Sequence, residues 1–180
     1  MKFIGSSRAG SFILLRGLGL CGLFYARLGA FLHVADNCLV SRQLWFPTMG
    51  SDISNLIANN VFLFPSAEGY NESLIWRQFA PNKACMDEIG IMAQLRRSDK
   101  SKRYGGFATS VVDEIRKYKS KHGHGFSINH SPREGIHHLH ITYLPADGAG
   151  VEKMTKAERS EMKVFLTQSL FGNRSPYPQN

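Results

Sequence analysis

The run His138-Leu-His-Ile-Thr-Tyr-Leu144 alternates polar and apolar side chains and is stopped by Pro145. Successive side chains of a strand point to opposite faces. The run therefore predicts a strand with Leu139, Ile141 and Tyr143 turned toward a core, and with His138, His140 and Thr142 in a row on the other face. Just upstream, "GFSIN" predicts a second strand in which Phe126 and Ile128 alternate, and "HSPREG" a loop between the two. Of the chain's 7 histidines, all but His33 fall between His122 and His140, so its near-neutral titrating side chains are concentrated in one hairpin-sized segment.

The flanking segments mix helical and strand patterns. In "FATSVVDEIRKYKSK", Phe107, Val111, Val112, Ile115 and Tyr118 predict one helical stripe, with basic residues in the last turns. Thr155 and Glu158 predict a capping box, followed by Met162, Phe165, Leu166 and Leu170 on an inward face and Gly172 as the stop. Cys85, Ile89 and Met92 keep helical spacing, which Gly90 weakens. Val61–Phe64 in "VFLFP" and the segment "SLIWRQFA" predict further strands, and Ser51 or Ser54 would cap a short helix through Ile53, Leu56 and Ile57. "RRSDKSKRYGG" has the composition of a solvated linker. This order implies an α+β class, an antiparallel sheet with flanking helices.

The 180 residues suffice for one domain with one core. A formal charge of +8 favours anionic partners: nucleotides, nucleic acid or acidic lipid headgroups. Cys21, Cys38 and Cys85 form no Cys-x-x-Cys pair, which argues against a disulfide framework or a cysteine-rich zinc site. Trp45 and Trp76 are expected in the core. Residues 1–35 form an apolar segment, helical or membrane-proximal, ahead of an α+β domain at 36–180. Arg16 and Arg27 interrupt it, leaving less than the roughly 20 residues a spanning helix needs. The expectation is a cytoplasmic protein; export or membrane-surface attachment through this segment is the alternative, and a homodimer is left open.

Two chemistries suit the histidine row. In one, a neutral imidazole attacks phosphorus and forms a transient phosphohistidine, while the neighbouring histidine and Thr142 bind phosphate oxygens; no cofactor is required. In the other, His130, His138 and His140 hold a divalent metal that polarises a phosphodiester. Arg133 in the loop is a candidate phosphate clamp. A histidine row on a wet strand face without catalysis, in a basic protein that binds nucleotide or nucleic acid, is the third reading.

The stretch "INHSPREGIHHLHITYLP" resembles the C-terminal signature of the histidine-triad superfamily, in which a strand ending in Asn leads through a polar loop into His-x-His-x-His or His-x-His-x-Gln. The nearest pattern is that of the CDP-diacylglycerol pyrophosphatases. The resemblance implies a histidine-triad-like fold and hydrolysis or transfer at a phosphoanhydride or phosphodiester of a nucleotide-containing small molecule. It implies His140 as nucleophile, His138 as its partner, and Asn129 and His130 among the residues that hold substrate. Thr142 stands where the third His or Gln belongs, and "EGI" replaces the family's Gly-Gln-Ser/Thr. The same stretch is also similar, more weakly, to the metal motif of relaxase-type two-histidine nucleases that act on single-stranded DNA. That likeness implies the metal set His130, His138 and His140.

Overall fold

The computed structural model describes residues 32–49 and 58–177. The apolar segment at 1–31 and the Ser51 or Ser54 helix lie outside the described residues. Six strands form one antiparallel sheet: β1 (Leu39–Phe46), β2 (Asn71–Trp76), β3 (Arg103–Val111), β4 (Gly125–His130), β5 (His138–Leu144) and β6 (Asn173–Pro176), in the order β4-β5-β2-β1-β3-β6. Helices α1 (Ala58–Val61), α2 (Lys83–Arg96), α3 (Val112–Lys117) and α4 (Lys156–Phe165) complete the architecture. It is an α+β fold, and among the described residues no helix is long and apolar enough to cross a membrane.

Strand alternation divides the sheet into two differently covered faces. One carries Val40, Leu44, Leu74, Ile128, Leu139 and Ile141, buried against Val112 and Ile115 of α3 and Met162 of α4. On the other, α2 packs Met86 over Ile75 and Phe107 above β2 and β3. The outer faces of β4 and β5 stay more open, with Asn129 exposed and His140 half-buried. Trp45 and Trp76 are core residues. The Thr155–Glu158 capping box opens α4 with both reciprocal hydrogen bonds present, and the helix runs into a π turn at Leu166–Leu170 before Gly172.

Three local expectations are corrected. The predicted helix from Phe107 is strand β3 as far as Val111 and helix only over Val112–Lys117. Its first half is apolar and partly β-branched, and an eight-pair register with β1 decides for strand. The linker expected before it ends at Lys102, because Arg103–Gly106 is already β3. Val61–Phe64 is not a strand: Val61 closes α1, Phe64 has φ +49°, and the Leu63 and Phe64 N–H groups donate to the Glu72 carboxylate instead of to a ladder.

That carboxylate belongs to the main irregularity of the sheet. β1 and β2 pair at Val40–Trp76 and Ser41–Ile75. Where the ladder stops, the Arg42 guanidinium fills the gap. It donates to the carbonyls of Ser73 (2.9 Å) and Val61 (3.1 Å) and pairs with Glu72 at 2.5 Å, with both side chains nearly fully buried.

Gly90, which weakened the helical pattern of α2, is a close-approach position. A Cβ there would lie 2.3 Å from the Tyr104 ring. We expect Gly90→Ala to destabilise the protein by about 1–3 kcal/mol, the overpacking outweighing the roughly 1 kcal/mol gained in helix propensity. The urea midpoint reads this out; a raised midpoint refutes the close approach.

Candidate functional site

The β4–β5 hairpin positions the site. Asn129 pairs with His140 and His130 with Leu139, so Asn129 shares the outer face with His140 while His130 shares the core face with Leu139. The connecting loop is tightly closed. Pro132–Glu134 form a single 3-10 turn, the Ser131 N–H donates to the His138 carbonyl, and the His138 N–H donates to the Gly135 carbonyl. Gly135 turns the chain back at φ +131°, a conformation that favours glycine. The reversal lays Glu134 across the two histidines. Its Oε2 lies 3.1 Å from His138 Nε2 and its Oε1 2.9 Å from His140 Nε2. The Ser131 hydroxyl donates to Oε1 at 3.2 Å. One donor atom from each of Glu134, His138 and His140 lies within 4.8 Å of the others.

His138 and His140 thus converge as the alternation required. The rings meet edge to face with centroids 5.1 Å apart. His138 is the more buried, its side chain 10% exposed against 28% for His140 and 50% for Glu134. Burial pushes the His138 imidazole down to about 4, with His140, His137 and Arg42 adding repulsion and Glu134 opposing it. The ring is therefore neutral at pH 7, the form needed by both a ligand and a nucleophile.

The remaining sequence candidates lie as follows. His130 is in the core: its Nδ1 accepts the Leu32 N–H, its Nε2 donates to the Ile136 carbonyl, and its ring packs edge-on to Trp76. Both ring nitrogens are committed and the ring is on the opposite face, so His130 does not join His138 and His140; among the described residues the group whose donors could hold a metal ion is Glu134, His138 and His140. The Thr142 hydroxyl donates to the Tyr70 carbonyl at 2.9 Å, which takes up its hydrogen. Arg133 is exposed on the 3-10 turn. His122 and His124 sit at the far end of the hairpin, each 3.6 Å from Glu158 Oε1.

Sequence reasoning missed Glu134, although its position four residues before His138 was a legible signal for a carboxylate-His-His set. It also missed a cleft of about 470 Å³ beside the pair, between α2 and strands β1 and β2. Arg42, Gln43, Arg96, Arg97, Glu134 and His138 are among its lining residues.

His130, His137 and His138 are all held below the ordinary histidine value, each chiefly by burial. Between the folded value of about 4 for His138 and the ordinary histidine value of 6.5, the unfolded chain binds more protons, so stability rises with pH through this window and is fully present above it. We expect acidification from pH 7.5 to 5.0 to lower the urea midpoint, with about 2 kcal/mol the upper bound on the share of His138 alone before solvent screening reduces it. His138→Gln should flatten the slope. A midpoint level across this range would contradict the buried neutral ring.

Compared with known proteins, the chain matches no protein-family model, no curated protein and no solved structure.

Proposed function

We propose that this protein is a metal-assisted hydrolase or transferase acting at a phosphorus–oxygen bond of a nucleotide-type substrate. Its centre is Glu134, His138 and His140. The observation that carries the reading is the bridging carboxylate, with the two Glu134 oxygens each about one hydrogen-bond length from a separate Nε2. Two imidazole nitrogens and a carboxylate oxygen form a donor set suited to zinc or manganese. One donor atom from each residue lies within 4.8 Å of the others, against about 3.4 Å between ligands held about 2.1 Å from a shared tetrahedral centre. The low protonation tendency of His138 keeps its lone pair available at neutral pH.

A divalent ion held there would polarise a phosphoryl oxygen as a Lewis acid. The chain's own residues supply the rest. His138 is the anchored ligand, buried and rigid on a central part of the sheet. His140 and Glu134 are the accessible members, facing the side from which substrate approaches. Asn129, exposed and paired across the hairpin with His140, is placed to orient a substrate oxygen.

A second reading keeps His140 as a covalent nucleophile. It is favoured by the greater exposure of the His140 side chain than of His138 and by the anionic oxygen already seated against its Nε2. In that case Glu134 occupies the place of a phosphoryl group and swings out with its loop.

The deciding experiment is hydrolysis of bis(p-nitrophenyl) phosphate and of a dinucleoside polyphosphate by the full chain, after EDTA and after addition of zinc or manganese. The metal reading requires loss on chelation and recovery on addition. Activity that survives EDTA and leaves an acid-labile phosphate on His140 transfers the assignment to the second reading.

A further inference from the structure

We propose that the cleft between α2 and strands β1 and β2 is an oxyanion-binding site adjoining the histidine centre, built to take the phosphate group of a small organic phosphate whose apolar body rests against the underside of α2. This rests on the phosphoryl reading of that centre, whose Glu134 and His138 form part of the cleft wall, but the oxyanion contacts belong to the arginines.

The charge balance of the cleft is the first support. Three guanidinium groups, Arg42, Arg96 and Arg97, line it together with one carboxylate, Glu134, whose two oxygens face His138 and His140. Arg42 is neutralised by Glu72. Among the described residues, neither Arg96 nor Arg97 has a carboxylate at ion-pair distance, although two Asp side chains nearby in sequence do pair with lysines: Asp87 with Lys83 and Asp99 with Lys102. The Arg97 guanidinium lies 4.5 Å over the Trp45 ring, which orients it without cancelling its charge. The repulsion is felt inside the fold, where Arg97 adds to the burial that lowers Arg42.

The second support is a concentration of unmet hydrogen bonding. Buried N–H donors with no partner occur on Gln43 (Nε2) and Arg97 (Nε), and both residues line this cleft. Buried polar atoms are nearly always partnered, because an orphan costs about 1–3 kcal/mol. Two such donors on the wall of one cavity indicate that a ligand, not the protein, completes them.

The third support is size and polarity. About 470 Å³ falls in the range of small-molecule sites. The lining also includes Ile75, Ile89, Met92 and Ala93, a surface for a ring or chain rather than for a polyanion. The shape therefore favours a compact phosphate ester over a strand of nucleic acid, whose repeated charges would meet that apolar wall.

Calorimetric titration of the full chain in EDTA, first with inorganic phosphate and then with phenyl phosphate, tests this without metal. We expect saturable binding of both, with phenyl phosphate the tighter. Arg97→Gln should weaken both by roughly tenfold or more, and Met92→Asp should remove the preference for the phenyl ester. Thermal unfolding confirms that each variant is folded; if Arg97→Gln is not, Arg96→Gln replaces it. Absence of saturable binding, or affinity unchanged in the folded arginine variant, overturns the proposal. If phosphate binds in EDTA while zinc and manganese never bind, the cleft stands and the metal reading falls. If metal binds while phosphate does not, the cleft falls and the metal reading stands.

Discussion

Glu134→Gln should lower metal-dependent hydrolysis by about a thousandfold, and His140→Ala by at least as much, with little effect on folding. Both side chains are partly exposed, so neither removal opens a buried void. The informative variant is Glu134→Gln. If the carboxylate is a ligand, the amide loses a negative charge and a donor atom, metal affinity falls, and excess zinc or manganese restores part of the rate. If instead the carboxylate merely occupies the place of substrate, the amide competes less well with an incoming phosphate. Activity would then hold or rise. Steady-state rates measured across a metal titration separate the two, and a fully active Glu134→Gln enzyme rules out the His-His-Glu centre. His138→Ala is the less clean probe, because its ring is buried and its loss mixes a packing defect with the chemical one.

Arg42→Ala is expected to have the largest effect on stability, about 3–5 kcal/mol, a substantial part of the 5–15 kcal/mol typical of a domain. The guanidinium makes two backbone hydrogen bonds and a buried ion pair, and its removal leaves the Glu72 charge enclosed. The double variant Arg42→Ala/Glu72→Gln should recover part of the loss. The glutamine carries no charge, yet its side-chain oxygen still accepts from the Leu63 and Phe64 N–H groups that Glu72 serves. Equilibrium urea unfolding of the wild type, both singles and the double gives the coupling energy directly. A loss below about 1 kcal/mol for Arg42→Ala would mean that water, not Arg42, satisfies this gap.

These two sites differ in how far the sequence discloses them. The histidine strand was legible because alternation over Leu139, Ile141 and Tyr143 fixes a face, and the face fixes the convergence of His138 and His140. The capping box at Thr155 and Glu158 was legible for a similar reason, since its chemistry is complete within four residues. Strand β3 was not: Phe107, Val111 and Val112 satisfy a helical stripe as well as a strand, and only the partner β1, more than sixty residues earlier, decides between them. His130 was misplaced because loop and strand positions exchange faces with a shift of one residue. Arg42 was invisible in principle. An arginine between Ser41 and Gln43 has the sequence character of an exposed strand residue, and its burial depends on a carboxylate thirty residues away.

The two-rung join between β1 and β2 gives the sheet an internal fault line. On one side lie β4, β5 and β2; on the other lie β1, β3 and β6. Amide hydrogen exchange should resolve these as two blocks, with partial opening along the fault at lower free energy than global unfolding. Arg42 and Gln43 come from one block, Ser73 and Ile75 from the other, and all four line the arginine cleft. A molecule seated there stitches the halves together, so occupancy should slow exchange in both blocks at once.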